Sequence, residues 1–391
     1  SQATPAMEGA GVHLHRVFGF GETEPFDPFL MMDDFRNDDP NKYVKGFPWH
    51  PHRGIETITY VLKGNVQHSD SLGNNGTLSD GDVQWMTAGS GIIHQEMPSG
   101  NELGQMHGFQ LWANLPRAQK MCTPRYLDIA SKEINTLTDD DGTHIRVIAG
   151  DYRGYKGLVD GIETDPSYLD ITLMPNVKRR FPFDTRRQGF AYIFEGSADF
   201  GNSSDPFGVN VEKEFNGQEM KIRDQSGNRT LVVFGDGDEI EVSSGENGVR
   251  FLLISGAPLR EPVAWHGPIV MNTRAELQQA FSELNTGNFV KTGAQGAFGQ
   301  GHFPPNPPRK SFPRPSRISG SVRGAPGPPW WIPIVPLWAN RQWVYEPGPV
   351  GPLLLLCGSI RLLIDRPWSA AAGIAGPWPM RPQAHKGPGP Y

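Results

Sequence analysis

FPWHPHRGIETITYVLKGN, residues 47–65, sets two histidines two positions apart, follows them with an alternating run and closes on a Lys-Gly-Asn turn. On a β-strand, residues i and i+2 project from the same face, roughly 7 Å apart. His50 and His52 therefore offer two imidazoles to one point. The same alternation continues outward. NGTLSDGDVQWMTAGSGIIHQEM (75–97) reads as short strands cut by Asp80-Gly81 and Gly89-Ser90-Gly91, and QMHGFQLWANL (105–115) alternates again. Short alternating runs punctuated by glycine specify an antiparallel sandwich or barrel. RAQKMCTPRYLDI, after residue 116, reads as a connector with little regular structure.

A second half repeats the plan. FAYIFEGSADFG (190–201) matches TITYVLKGNVQHS in its order of Tyr, apolar pair, charge and Gly, aligning Tyr192 with Tyr60 and Gly196 with Gly64. Two copies of one barrel in one chain follow from that repeat. TRAELQQAFSEL, from Thr273, reads as a helix. Thr273 and Glu276 have capping-box spacing, and Leu277, Ala280, Phe281 and Leu284 recur on one face. The expected organisation is a first barrel over 1–130 and a second over 131–291 with a closing helix.

Composition changes near Thr292. The stretch 292–391 holds 20 of the 36 prolines and 6 of the 10 tryptophans, with ten Lys or Arg against Glu346 and Asp365. Dense proline removes backbone donors and blocks helix, so a disordered tail is expected. A docking tail and a frame-shifted extension are the alternatives. The whole chain carries a formal charge of −6. That gives no basic footprint for nucleic acid or anionic lipid. Its longest apolar run, LLLLCGSI (353–360), is too short to span a bilayer. The N-terminal SQATPAMEGAG has neither the basic nor the apolar region of a secretion signal, and Cys122 and Cys357 lie in unlike surroundings. Cytoplasm is the expected compartment, with the nucleus the alternative if the source is eukaryotic.

His94 and Glu96, in GIIHQEM, repeat the i, i+2 relation of His50 and His52. If both segments face one barrel interior, three imidazoles and a carboxylate converge. Such a set suits a divalent first-row metal: iron, manganese, nickel, copper or zinc. Octahedral geometry would leave two positions for O2 or a substrate oxygen. A structural zinc site would instead be closed and sulfur-rich. His13 and His15 share the HxH spacing but lack a carboxylate partner. They read as one face of an early strand, and the remaining histidines, His68 and His107 among them, as core or surface groups.

Gly46, His50, His52, Glu56 and Gly64 resemble the first cupin motif, and Gly81 to Glu96 the second. FPWHPHRGIETITYVLKG, WMTAGSGIIHQEMP, MMDDF (31–35) and EPVAWHGPIVMNTRAELQQAF (261–281) together resemble the pirin family over about residues 9–291. The resemblance implies an all-β bicupin: two tandem jelly-roll-like cupin barrels with a C-terminal helix, the first holding iron. It implies His50, His52, His94 and Glu96 as metal ligands. Glu56 occupies the position that is a ligand in many other cupins. Four residues from His52, it is read on the same face and placed behind the ligands. By alignment on Tyr192, the second barrel has Pro182, Asp184 and Gln188 where the first has His50, His52 and Glu56, so one metal per chain is expected.

Pirins are associated with quercetin 2,3-dioxygenase activity, which implies a flavonol-like substrate, O2, and Glu96 as general base. Animal pirin is also described as an iron-dependent redox-sensing coregulator that binds transcription factors. The resemblance thus admits a protein partner as a second reading. A cupin isomerase or hydrolase is a third.

Overall fold

The computed structural model describes residues 1–159, 161, 162, 164–201 and 228–291. The tail from 292 onward lies outside them. The chain is built from antiparallel strands with one α-helix among the described residues.

The first barrel pairs two sheets. A seven-stranded sheet runs Thr4–Glu8, Val12–Phe18, Phe29–Asp34, His107–Asn114, Ile55–Lys63, Val83–Thr87, Arg125–Ile129 in spatial order. Its companion sheet has four strands, Phe47–His52, Ile92–Ser99, Asn65–Asp70 and Asn75–Leu78. The Lys63-Gly64-Asn65 turn is the corner between the two sheets. Gly64 has φ +89°, and a Cβ there would lie 2.8 Å from Met106 Sδ and 2.9 Å from the Gln105 carbonyl, so only glycine fits. The connector read as irregular is partly regular. Its RYLDI portion pairs with Val83–Thr87 and completes the large sheet. The pairing, not any strong local pattern, makes it a strand.

The second barrel orders Asn135–Thr138, His144–Ala149, Ser167–Leu173, Glu239–Gly256, Gln188–Phe200 and Thr230–Val233, with Lys178–Pro182 also on Glu239–Gly256. Gln188–Phe200 and Glu239–Gly256 are long strands. Register shifts at Ile193/Glu195 and Gly196/Ala198 bend the pair so that it serves both ends of the barrel.

The large sheet of the first barrel has two working faces. Ile58, Tyr60, Trp85, Phe109 and Leu111 turn toward the second barrel and share one apolar core with Tyr168, Phe190, Tyr192, Leu252 and Ile254. The aligned tyrosines clasp across it reciprocally. Tyr60 donates to Asp170 Oδ2 at 2.6 Å, and Tyr192 donates to Asp34 Oδ2 at 2.9 Å. Arg250 forks onto Asp170, at 3.0 and 2.7 Å, so that buried carboxylate keeps charged partners. The opposite face of the sheet looks into the first barrel.

The chain also crosses back on itself. Near the N-terminus, Ala3 donates to the Arg229 carbonyl and Leu231 to the Ser1 carbonyl, joining the second barrel. After the second barrel, the hairpin Ala264–His266/Ile269–Met271 and the helix Arg274–Asn285 pack on the first, where Ile93 meets Ala264, Ile269, Met271, Leu277 and Phe289. The helix has the expected capping box, Thr273 with Glu276. That return path carries backbone from the far end of the sequence to the wall of the histidine cluster.

Candidate metal centre

His50 and His52 come from Phe47–His52, and His94 from the adjoining strand Ile92–Ser99. The register pairs His50 directly with His94. Directly opposed residues share a face, and period two brings His52 onto it. The three imidazoles meet there: one ligand nitrogen from each lies within 4.8 Å of the others. Ring centroids are 4.3 Å apart for His50–His94, 4.8 Å for His50–His52 and 5.0 Å for His52–His94.

Backbone carbonyls orient two of the rings. Nδ1 of His50 lies 2.9 Å from the Pro48 carbonyl, and Nδ1 of His52 lies 3.0 Å from the Pro268 carbonyl. A carbonyl only accepts, so each Nδ1 carries the proton and each Nε2 is left with its lone pair. His94 is fully buried, and neither of its ring nitrogens has a hydrogen-bond partner among the described residues. A buried polar group without a partner is costly, and a cation among the three rings would satisfy the nitrogen that carries the lone pair.

Desolvation keeps all three rings neutral. It lowers His50 to about 4, and it carries His52 and His94 well below the ordinary imidazole range, helped by the neighbouring rings. Neutral imidazole is the form that binds metal. At pH 7 the cluster needs to shed no proton first.

The two glutamates take different places. Glu96 shares the face of His94 and is buried, but its carboxylate is not among the atoms that meet in the imidazole cluster. Thr59 donates to Glu96 Oε1 at 3.0 Å and lies 2.8 Å from Gln110 Oε1. Burial raises the Glu96 carboxyl, with the Thr59 hydrogen bond acting in the opposite sense. Glu56 is not behind the ligands. The strand breaks at Gly54, φ +76°, and the parity resets. Residues 57 and 59 then face the interior, while Glu56 joins the side of Ile58 and Tyr60 and accepts from Thr87 Oγ1 at 2.6 Å. Counting four residues from His52 fails because those residues do not belong to one strand.

His68, read as a core histidine, is one. It is buried, 3.1 Å from Asp128 Oδ2, and its Nδ1 lies 2.9 Å from the Tyr126 hydroxyl. Thr59, Trp112, Lys120 and the Pro268 carbonyl were not singled out by sequence reasoning. The Thr59 side chain could have been found from the alternation of TITY. Pro268 lies 216 positions from His52, and no local pattern connects them. Trp112 stands edge-on to His52, centroids 5.0 Å apart, and beside Trp265 at 5.9 Å.

Two stacked cupin barrels, the first enclosing a three-histidine cluster fit for a transition metal, define a bicupin with one candidate metal centre among the described residues. Comparison with known proteins narrows this. Residues 11–113 match the family model for pirin, and residues 168–290 that for the pirin C-terminal cupin domain. Human pirin is 38% identical over 279 residues, 71% of this chain and 88% of that protein. A Pseudomonas aeruginosa protein whose name provisionally assigns it quercetin 2,3-dioxygenase activity is 41% identical over 287 residues, 72% of this chain and 94% of that one. The crystal structure of a quercetin 2,3-dioxygenase from Acinetobacter baumannii superposes with a TM-score of 0.63 at 31% identity, covering 74% of this chain and 96% of that one. The chain belongs to the pirin family. None of the helices among the described residues is long and apolar enough to cross a membrane.

Proposed function

We propose that this protein is a metal-dependent dioxygenase that opens the ring of a flavonol-type phenol, with iron at the His50–His52–His94 cluster and Glu96 as its fourth protein ligand or base. The observation that carries the proposal is the set of three neutral imidazoles, His52 and His94 buried and His50 partly so, with neither nitrogen of His94 partnered among the described residues. The relatives named for quercetin 2,3-dioxygenase supply the substrate class. Held by these three histidines, iron would supply a Lewis-acidic and redox-active centre, suited to a phenolic substrate and O2.

The chain's own residues do the rest. The carbonyls of Pro48 and Pro268 fix the His50 and His52 tautomers, so each Nε2 keeps a lone pair that a metal could take. Glu96 takes the substrate's hydroxyl proton. Its carboxyl, raised by burial, is a stronger base than a solvated glutamate, and the Thr59 hydroxyl fixes one of its oxygens. Trp112 offers a flat ring edge-on to His52 against which an aromatic substrate can lie. His50, partly exposed, marks the side open to solvent. The second barrel braces the first through the tyrosine clasp, and the returning hairpin forms a wall of the site. With Cys122 a free thiol, we place the protein in a reducing compartment, the cytoplasm.

The test is quercetin consumption by the iron-loaded protein, with O2 uptake and CO release, lost in His52→Ala and Glu96→Ala. Iron-loaded protein that leaves quercetin untouched would remove the substrate assignment. Activity that survives His52→Ala would remove the site assignment.

A further inference from the structure

Lys120 is 2% exposed, yet no carboxylate among the described residues forms an ion pair with it. Its ammonium donates to three neutral oxygens: the Gly54 carbonyl at 2.8 Å, the Val270 carbonyl at 3.0 Å, and Asn114 Oδ1. Three donors meet three acceptors, so the group is saturated. Burial lowers it to about 7, with Glu261 and Glu276 acting more weakly to raise it. A buried cation without a counter-ion is expensive. The proposed chemistry makes no use of it, since it does not touch the imidazoles. The question is what the arrangement achieves.

The three oxygens belong to the parts of the chain that frame His52. Gly54 lies two residues after His52, and Val270 two residues after Pro268, whose carbonyl orients the His52 ring. Between these points the two segments are already stitched: Val270 N donates to the Arg53 carbonyl at 3.1 Å, and Arg53 bridges Ile269 in parallel. They pass so closely that a Cβ on Gly54 would lie 2.0 Å from the Val270 carbonyl oxygen and 2.9 Å from Lys120 Cδ. Two carbonyl oxygens brought together repel, and an ammonium between them removes that repulsion. Asn114, at the end of His107–Asn114, is the third anchor and ties the knot to the large sheet.

We infer that Lys120 is a positioning residue for the metal centre. By drawing the Gly54 and Val270 carbonyls onto one ammonium, it sets the distance between the strand that carries His52 and the Pro268 carbonyl that fixes the tautomer of that histidine. Groups that orient a ligating histidine through its second nitrogen change metal affinity 10- to 100-fold when lost. Lys120 acts one step further out, on the carbonyl's own position. This rests on the metal reading of the histidine cluster given above.

The test uses Co(II), whose ligand-field absorption reports coordination directly. Wild type, Lys120→Met, Asn114→Ala and His50→Ala are titrated with Co(II) against a competing chelator. Metal-free melting and circular dichroism are recorded for each. The expected result is a Co(II) affinity about 10-fold or more lower in Lys120→Met, with a shifted absorption band. Asn114→Ala, which leaves two of the three anchors, moves the same way by less. A folded Lys120→Met that melts lower but keeps wild-type affinity and band would show that Lys120 holds only the fold, and would overturn the inference. Should Lys120→Met fail to fold, Asn114→Ala decides, and an unchanged affinity and band there overturns it equally. A wild type that shows no Co(II) band removable by His50→Ala would instead sink the metal reading itself, and the inference with it. The two failures are thus told apart.

Discussion

Acidification tests whether the fold holds His50 as a neutral imidazole. In the unfolded chain an imidazole titrates near 6.5, whereas His50 in the fold is lowered to about 4 by desolvation. Between those values the unfolded state binds a proton that the native state refuses. Stability therefore rises with pH across the window. The contribution of His50 is fully present above 6.5, is lost progressively as pH falls toward 4, and does not change further below that. At pH 5.5 an unfolded imidazole is about nine-tenths protonated, and linkage puts the loss at about 1.4 kcal/mol for a fully buried ring. His50 is partly exposed, so solvent screening trims this to roughly 1 kcal/mol. The assay is urea unfolding of metal-free protein at pH 8 and pH 5.5, wild type against His50→Gln, followed by circular dichroism. Glu56, Glu96 and the other groups titrate in both proteins and cancel in the comparison. Wild type loses about 1 kcal/mol more than the variant, a difference of a few tenths molar in midpoint at unchanged slope. Equal losses in the two proteins would refute the reasoning, because His50 would then titrate at its ordinary value and the cluster would be solvated.

Other outcomes follow from single contacts. Tyr60→Phe and Tyr192→Phe each remove a buried donor to a carboxylate that keeps arginine partners. Each lowers stability by about 1.5 kcal/mol in denaturant unfolding, the low end for a hydrogen bond to a charged group. Thr59→Val, close to isosteric, strips Glu96 of its donor and lowers stability by about 1–2 kcal/mol, whereas Thr59→Ser restores most of it. Gly54→Ala combines a positive φ with a Cβ driven against the Val270 carbonyl. It costs at least about 2–3 kcal/mol, read as a depressed melting temperature. A chain ended at Lys291 keeps its metal. One ended at Pro262, lacking the hairpin whose carbonyl orients His52, does not, and metal analysis of the two checks this.

The local grammar of the sequence carries much of this architecture. Period-two runs, glycine turns and the Thr273 cap specify strands, corners and the helix, and the match of Tyr60 to Tyr192 reveals the duplication. The clustered histidines are legible in part for the same reason: i, i+2 spacing sets His50 and His52 on one face, while His94 joins them through pairing across strands. What is not legible is whatever depends on pairing across the chain. Glu56 is misplaced by parity counting because Gly54 interrupts the strand, and a φ of +76° cannot be read from a single glycine among 47. RYLDI becomes a strand only because Val83–Thr87 lies open beside it. Lys120 stands in an unpatterned connector, and its three acceptors come from residues 54, 114 and 270. The helix follows the second barrel in sequence yet packs on the first, since the apolar face it buries is complementary to Ile93 and the returning hairpin.

The central claim is that three imidazoles from two neighbouring strands form one metal site. Wild-type protein and the single variants His50→Ala, His52→Ala and His94→Ala, each equilibrated with Fe(II) without oxygen and then desalted, are compared by metal analysis per chain. The account predicts one iron in wild type and little or none in each variant. Metal-free wild type, or variants that retain a full equivalent, would contradict it.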